Sequence, residues 1–188
     1  MGALPKACEL VTERLVLRPL RVQDAVQTQP LFARWEIVQY LNGVIPWPFP
    51  PDGAERYYRD LAVPAMERGD EWHWTLRLRE EPQRIVGAIG LMMREGENRG
   101  FWLGEPWQRC GLMTEAVIAA NDFWFEVLGF PVLRTQKAVA NVASRVISEK
   151  TGMRLVGVAE KEFVCGALPA EKWELTAEAW SEWKRARE

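Results

Sequence analysis

Histidine is nearly absent from this chain: among 188 residues only His73 is one. That scarcity excludes the chemistries built on histidine partnerships, namely Ser-His-Asp triads, His-rich zinc sites and HExxH proteases. His73 itself stands in Trp72-His73-Trp74, outside any such context, and reads as a strand residue. Cysteine is scarce as well. Cys8, Cys110 and Cys165 lie far apart with no CxxC pair, so neither a zinc ribbon nor a disulfide framework is indicated, and no metal is expected. Neither sign of charge dominates: 24 Lys and Arg against 26 Asp and Glu leave a net charge of −2, which argues against a nucleic-acid binder. Long apolar runs are missing too, since the longest, from Val86 to Met93, is far too short to cross a bilayer. Free thiols and the lack of a signal-peptide pattern point to the cytoplasm, with no membrane partner.

What is present is ordinary globular material, 48% apolar and 27% charged, with ten tryptophans and a length that suits one domain spanning residues 1–188. Residues 1–10 read as a loose arm. Arg14-Leu15-Val16-Leu17-Arg18 alternates as a half-buried strand does. Asp24 is placed to cap a helix reaching about Tyr40. Four prolines between Ile45 and Pro51 then forbid regular structure. Asp52 and Glu55 read as a capping box for a helix to about Arg68, which Pro64 should end or kink. Stretches 72–79, 84–94 and 99–104 form an antiparallel meander. Stretch 114–128 reads as a helix closed by Gly129, 131–139 as a strand, and 142–150 as a short helix closed by Gly152. Stretches 154–165 and 172–177 make a hairpin joined by Gly166-Ala167-Leu168-Pro169, and 178–188 is a charged C-terminal helix. The order is mixed α+β, with a strand–loop–helix–strand unit at its centre.

That central unit carries the chemistry. From Phe101 to Ala116 a strand ends, a loop turns through Gly104, Pro106 and Gly111, and a helix begins. Backbone N–H groups at a helix start lack intrahelical partners and, with the positive end of the helix dipole, make an anion site. Gly111 lets a phosphate approach the backbone, and Arg109 adds positive charge. An ordinary strand-to-helix connection fits the same residues. The loop contains neither a Walker A sequence nor a GxGxxG fingerprint.

Gln108-Arg109-Cys110-Gly111-Leu112-Met113 resembles the Q/R-x-x-G-x-G/A signature of the GNAT N-acetyltransferase superfamily, with Met113 standing where that pattern has Gly or Ala. Thr114-Glu115-Ala116, Asn141-Val142-Ala143-Ser144-Arg145 and Glu149-Lys150-Thr151-Gly152-Met153 extend the match. Thr12-Glu13-Arg14-Leu15-Val16-Leu17-Arg18 and the proline-rich segment are similar to the RimJ/RimL-like branch, which contains ribosomal-protein N-terminal acetyltransferases. The resemblance covers residues 12–180. It implies a GNAT-like α+β (mixed α/β) fold: a central, mostly antiparallel twisted sheet splayed between two parallel strands, with helices on both faces. It further implies acetyl-CoA as co-substrate, its pantetheine arm along Trp102-Leu103-Gly104. Its pyrophosphate would lie at Gln108, Arg109, Cys110, Gly111, Leu112, Met113 and Thr114, with Asn141 and Ser144 also at the cofactor. A homodimer is compatible with the branch, and oligomeric state stays open.

Transfer from a thioester to an amine needs a neutral amine and a protonated leaving sulfur. An α-amine, with a pKa near ~8 against about 10.4 for lysine, needs only a weak base. Glu105, following the strand that should flank the thioester, is the candidate base, although it also fits a solvated loop carboxylate. Similarity points to Ser144 as the acid, and no tyrosine lies beyond Tyr58 to take that role. Trp35, Tyr40, Trp47 and Phe49 are candidate walls of an acceptor groove, or else pack the helices on the sheet. The acceptor expected first is a protein N-terminal α-amine. A small-molecule amine, or a non-catalytic acyl-CoA-binding module, are the alternatives.

Overall fold

The computed structural model describes residues 4–187. Strands β1 (Leu10–Val11), β2 (Leu15–Pro19), β3 (Glu71–Leu78), β4 (Glu81–Met92) and β5 (Arg99–Leu103) form one antiparallel sheet in that spatial order. Strands β6 (Val132–Ala138), β7 (Arg154–Phe163) and β8 (Gly166–Thr176) form a second, ordered β6-β8-β7. The sheets meet where β5 and β6 begin. There the Asn98 N–H donates to the Arg134 carbonyl at 2.7 Å, and the Arg134 N–H donates to the Asn98 side chain at 2.8 Å. Among the described residues no ladder joins the two strands beyond that point, so they part toward their C-terminal ends and leave a V.

The main core fills one face of the first sheet. Trp72, Trp74 and Leu76 of β3, with Ile89 and Leu91 of β4, close onto Met113, Ala116, Val117 and Ala120 of helix α5 (Leu112–Asp122). Helices α1 (Ala25–Phe32), α2 (Trp35–Val38), α3 (Gly53–Tyr57) and α4 (Val63–Arg68) precede β3. Leu20, Ala25, Ala54, Tyr58 and Ala62 from this region make a second apolar cluster. With both faces covered, β3 buries its polar positions His73, Thr75 and Arg77 along with its tryptophans. Helices α6 (Val142–Lys150) and α7 (Ala177–Arg185) complete the chain, α6 with the expected bounds.

Several local expectations are corrected. The described part of the N-terminal arm is not loose: Leu4, Ala7 and Leu10 pack on the core. The buried indoles of Trp72 and Trp74 need acceptors, and each donates at 2.7 Å, to the carbonyls of Pro5 and Cys8. Residues 1–3 lie outside the described part. The helix expected to reach Tyr40 stops at Phe32, because Ala33 (φ −72°, ψ 52°) and Arg34 (φ −131°, ψ 134°) leave helical geometry before α2 restarts at Trp35; Pro30 lies inside α1. Asp24 does not cap α1; its carboxylate accepts from the Arg21 N–H at 3.0 Å and from Arg77 at 2.7 Å. The Asp52–Glu55 capping box is likewise replaced. Those carboxylates pair with Arg56 and Arg59, and Gln29 Oε1 caps the Ala54 N–H at 2.9 Å. Pro64 neither ends nor shortens its helix, since a π-helical turn (Tyr58–Ala62) places it in the first turn of α4, which needs no N–H there. The last hairpin turns at Val164-Cys165, so Gly166 to Pro169 belong to β8. Pro169 is tolerated because β6 stops opposite Ala170, leaving no second ladder to break.

Candidate active site

The end of β5 is rigidly set before the loop starts. The Gly104 N–H donates to the Val86 carbonyl at 2.8 Å, and a Cβ on Gly104 would lie 2.8 Å from the Trp107 ring. A 3-10 turn (Glu105–Trp107) follows, after which Gln108 Nε2 reaches back to the Leu103 carbonyl at 2.7 Å. Two left-handed residues then alternate with ordinary ones: Arg109 at φ 63° and Gly111 at φ 86°. Such alternation turns successive N–H groups to one side, the geometry of an anion nest. Among the described residues, the backbone N–H groups of Arg109, Cys110, Gly111, Leu112, Met113 and Thr114 find no acceptor, and donation resumes only with Glu115 to the Gly111 carbonyl at 3.1 Å. Six consecutive free donors at the positive end of a helix suit a diphosphate. Leu112 and Met113 offer only their backbone, for their side chains are buried in the core. Cys110 is exposed, with its thiol against the Trp107 carbonyl.

A clamp that sequence reasoning missed holds this loop. Glu115, in the first turn of α5, accepts from the Thr12 hydroxyl, from the Arg14 N–H at 2.8 Å and from Arg14 Nε at 2.8 Å. Arg14 Nη1 also donates to the Cys110 carbonyl at 2.9 Å. Burial pushes the Glu115 carboxyl up, but the hydrogen bonds from Thr12 and Arg14, with the charge of Arg14, hold it below its ordinary value. Both halves of the clamp were visible as motifs; nothing in either revealed that they touch.

In an antiparallel ladder, main-chain groups alternate between the two edges. With Met92–Asn98 and Val86–Gly104 bonded, Trp102 and Gly104 direct theirs into β4, so the edge inside the V belongs to Phe101 and Leu103, with the Leu103 carbonyl already taken by Gln108. Across the V, Asn141 caps α6, its Oδ1 accepting from the Ser144 N–H at 3.2 Å. This fixes half-buried Ser144 just past the end of β6. Glu105 stands exposed on the opposite arm, paired with Arg34 at 3.2 Å.

The acceptor candidates divide between the arms. Phe49 meets Phe32 at 4.9 Å between ring centroids, and Phe32 meets Trp102 at 5.5 Å, an aromatic chain on the β5 side. Trp35 and Trp47 form an adjacent pair at 5.3 Å, 38% and 42% exposed, and thus free to receive an apolar group. Tyr40 sits apart on the β6 side, against Ala138, Phe163 and Ala170. The segment carrying Tyr40 is stapled to the β7–β8 tip. Val164 and Cys165 donate to the carbonyls of Leu41 and Gln39, both at 3.1 Å, and Gly43 donates to the Glu162 carbonyl at 3.1 Å.

Among the described residues, no group of His, Cys, Asp and Glu could hold a metal ion, and no helix is long and apolar enough to cross a membrane. A family model described as "Acetyltransferase (GNAT) domain" matches residues 14–154. Solved structures share the fold. A ribosomal-protein-S5-alanine acetyltransferase from Vibrio fischeri is 18% identical, with a TM-score of 0.76 over 92% of this chain and 98% of that one. A GNAT-family acetyltransferase from Bacillus anthracis is 17% identical, with a TM-score of 0.76 over 90% and 99%. RimJ of Mycobacterium smegmatis, solved in complex with CoA-disulfide, is 16% identical, with a TM-score of 0.75 over 92% and 88%. Comparison with curated protein sequences gives no significant match.

Proposed function

The chain belongs to the GNAT acetyltransferase family, and from that premise we propose that it moves the acetyl group of acetyl-CoA onto a protein N-terminal α-amine. The observation that carries the donor side is the run of six unpaired N–H groups from Arg109 to Thr114 at the base of the V. They would hold the diphosphate, while the N–H and carbonyl of Phe101 and the N–H of Leu103 would bond the pantetheine arm. On the acceptor side, the mouth is aromatic, and Glu105 at its rim is already paired with Arg34. A polycationic small molecule would call for a cluster of unpaired carboxylates, whereas a peptide end with an apolar side chain fits Trp35 and Trp47. The name of the Vibrio fischeri neighbour, a ribosomal-protein-S5-alanine acetyltransferase, supports the same acceptor class.

In this reading the α-amine, partly neutral at pH 7, attacks the thioester carbonyl while Glu105 takes up its proton and Ser144 hydrogen-bonds the departing sulfur. Thiol release measured over a panel of N-terminal peptides and small amines tests it. Turnover confined to small amines would overturn the acceptor assignment. Ser144→Ala is expected to lower kcat by roughly 100- to 10,000-fold, the scale of a lost acid, with KM for acetyl-CoA within about threefold. An unchanged kcat removes Ser144 from the reaction. Arg14→Ala loosens the loop without touching the thioester, so calorimetry should show acetyl-CoA binding weakened at least ~10-fold, about 1.4 kcal/mol. At saturating cofactor its kcat should stay within about threefold, and unaltered affinity would show that the clamp does not shape the cradle.

A further inference from the structure

A serine hydroxyl alone is a poor acid, because the alkoxide it would leave is strongly basic; it passes a proton efficiently only when another group replaces that proton. One turn along α6 from Ser144, the Ser148 hydroxyl accepts from the ammonium group of Lys137. Lys137, the penultimate residue of β6, is only 5% exposed. Its Nζ donates to the Ser148 hydroxyl and, at 3.1 Å, to the Thr135 hydroxyl, and lies 5.6 Å from the centre of the Trp173 ring. Ser148 follows Ser144 by one turn of α6, so the two hydroxyls share a helix face with about 5–6 Å between their Cβ atoms, a gap one water spans. The charged groups facing Lys137 come from three elements. Arg99 of β5 is fully buried and bonded to Asn121 and, at 3.4 Å, to the Met153 sulfur. Glu171 stands directly opposite on β8, bonded by Trp173 Nε1 at 3.0 Å. Arg145 of α6 lies 3.7 Å from that carboxylate. Burial, then the charge of Arg99, pulls the Lys137 ammonium down to about 7, against the opposing pull of Glu171.

We propose that Lys137 is the proton reservoir for thiol release, a positioning residue that recharges the Ser144 hydroxyl through Ser148. This rests on the acetyltransferase reading of the site. As the amine nitrogen bonds the acetyl carbon, the C–S bond breaks and its electron pair stays on sulfur. The Ser144 proton passes to sulfur, the bridging water and Ser148 each hand one on, and Lys137 gives up an N–H proton and becomes neutral. The proton shed by the amine leaves through Glu105 to solvent, and solvent returns one to Lys137 along the same chain after product departs.

The test compares the full-length wild type with Lys137→Met and Ser148→Ala. For each, kcat/KM for acetyl-CoA with a saturating peptide amine is followed from pH 5.5 to 9.5, cofactor affinity is measured by calorimetry, and lysine Cε resonances are titrated. The wild type should show a descending limb within about one unit of pH 7 that coincides with the Lys137 resonance, because kcat/KM for acetyl-CoA reports ionisations of the enzyme form that meets acetyl-CoA. Lys137→Met should lose that limb and at least tenfold in kcat below pH 7, with acetyl-CoA affinity within threefold. Ser148→Ala should lose kcat similarly while Lys137 still titrates. A Lys137→Met enzyme that keeps the wild-type limb and kcat overturns the relay. Wild-type protein that binds acetyl-CoA yet turns over no amine overturns the acetyltransferase reading, and the relay with it.

Discussion

Gly111→Val is expected to raise the dissociation constant for acetyl-CoA at least 100-fold while the protein still folds. The backbone at Gly111 is left-handed, φ 86°, a region that β-branched residues occupy only under strain of order 1–3 kcal/mol. A Cβ there would also stand 3.3 Å from Arg14 Nη2, and two further methyls would displace that guanidinium from the Cys110 carbonyl and from Glu115. The strain is relieved by turning the loop, and the loop is the binding site. Six N–H groups that converge on one anion diverge when their central residue rotates, and a 100-fold loss needs only about 2.7 kcal/mol. Calorimetric titration with acetyl-CoA checks it. Gly129→Ala is the control: Gly129 is also left-handed at φ 70°, but a Cβ there meets nothing within 4 Å. That variant should cost stability and leave affinity alone. Affinity of Gly111→Val within threefold of wild type would mean that the diphosphate is held elsewhere.

What could be read from the sequence was local. Val142–Lys150 has its asparagine cap and closing glycine within a dozen residues, and the strand–loop–helix at Gly104 to Thr114 carries its turn chemistry in its own residues. What could not be read was tertiary. Thr12 and Arg14 meet Glu115 across about a hundred residues of chain, and no periodicity encodes that encounter. Lys137 occupies a strand position where a charged residue ordinarily signals solvent, yet α6 covers it. The break at Ala33 and Arg34 carries no proline or glycine of its own to announce it, and it places Arg34 in an exposed pair with Glu105. The cap expected at Asp24 and the capping box expected at Asp52 and Glu55 failed because competing partners, Arg77 for Asp24 and Gln29 for Ala54, arrive from other elements. Motif order carried the family and the cradle; the supports that aim the cradle, and the charge at Ser148, came only from packing.

Lys137→Met should stabilise the protein near pH 6.5, the opposite sign from most substitutions of buried residues. An ordinary lysine holds its proton to 10.5, whereas this one releases it at about 7, so the folded chain binds that proton less tightly than the unfolded one. Stability is then greatest above pH 10.5, declines as pH falls toward 7, and levels off below. Each unit of that interval is about 1.4 kcal/mol. Methionine removes the whole penalty but leaves the Ser148 hydroxyl without its partner, Thr135 keeping its contact with the Met153 sulfur, an offset of roughly 1–3 kcal/mol. The net expectation is a gain of about 2–3 kcal/mol at pH 6.5, or roughly 5–10 °C in Tm for a chain of this size. The gain should shrink and change sign near pH 9.5, where the unfolded lysine is losing its own proton. Thermal unfolding of both proteins at the two pH values is the measurement. A destabilised variant at pH 6.5 would show Lys137 to be a net-favourable partner of Glu171, a structural ion pair with no proton to spare. A stabilised variant that has lost its activity shows the reverse: the chain carries a buried, easily deprotonated ammonium at the cost of its own stability, a trade that a functional use of the proton accounts for.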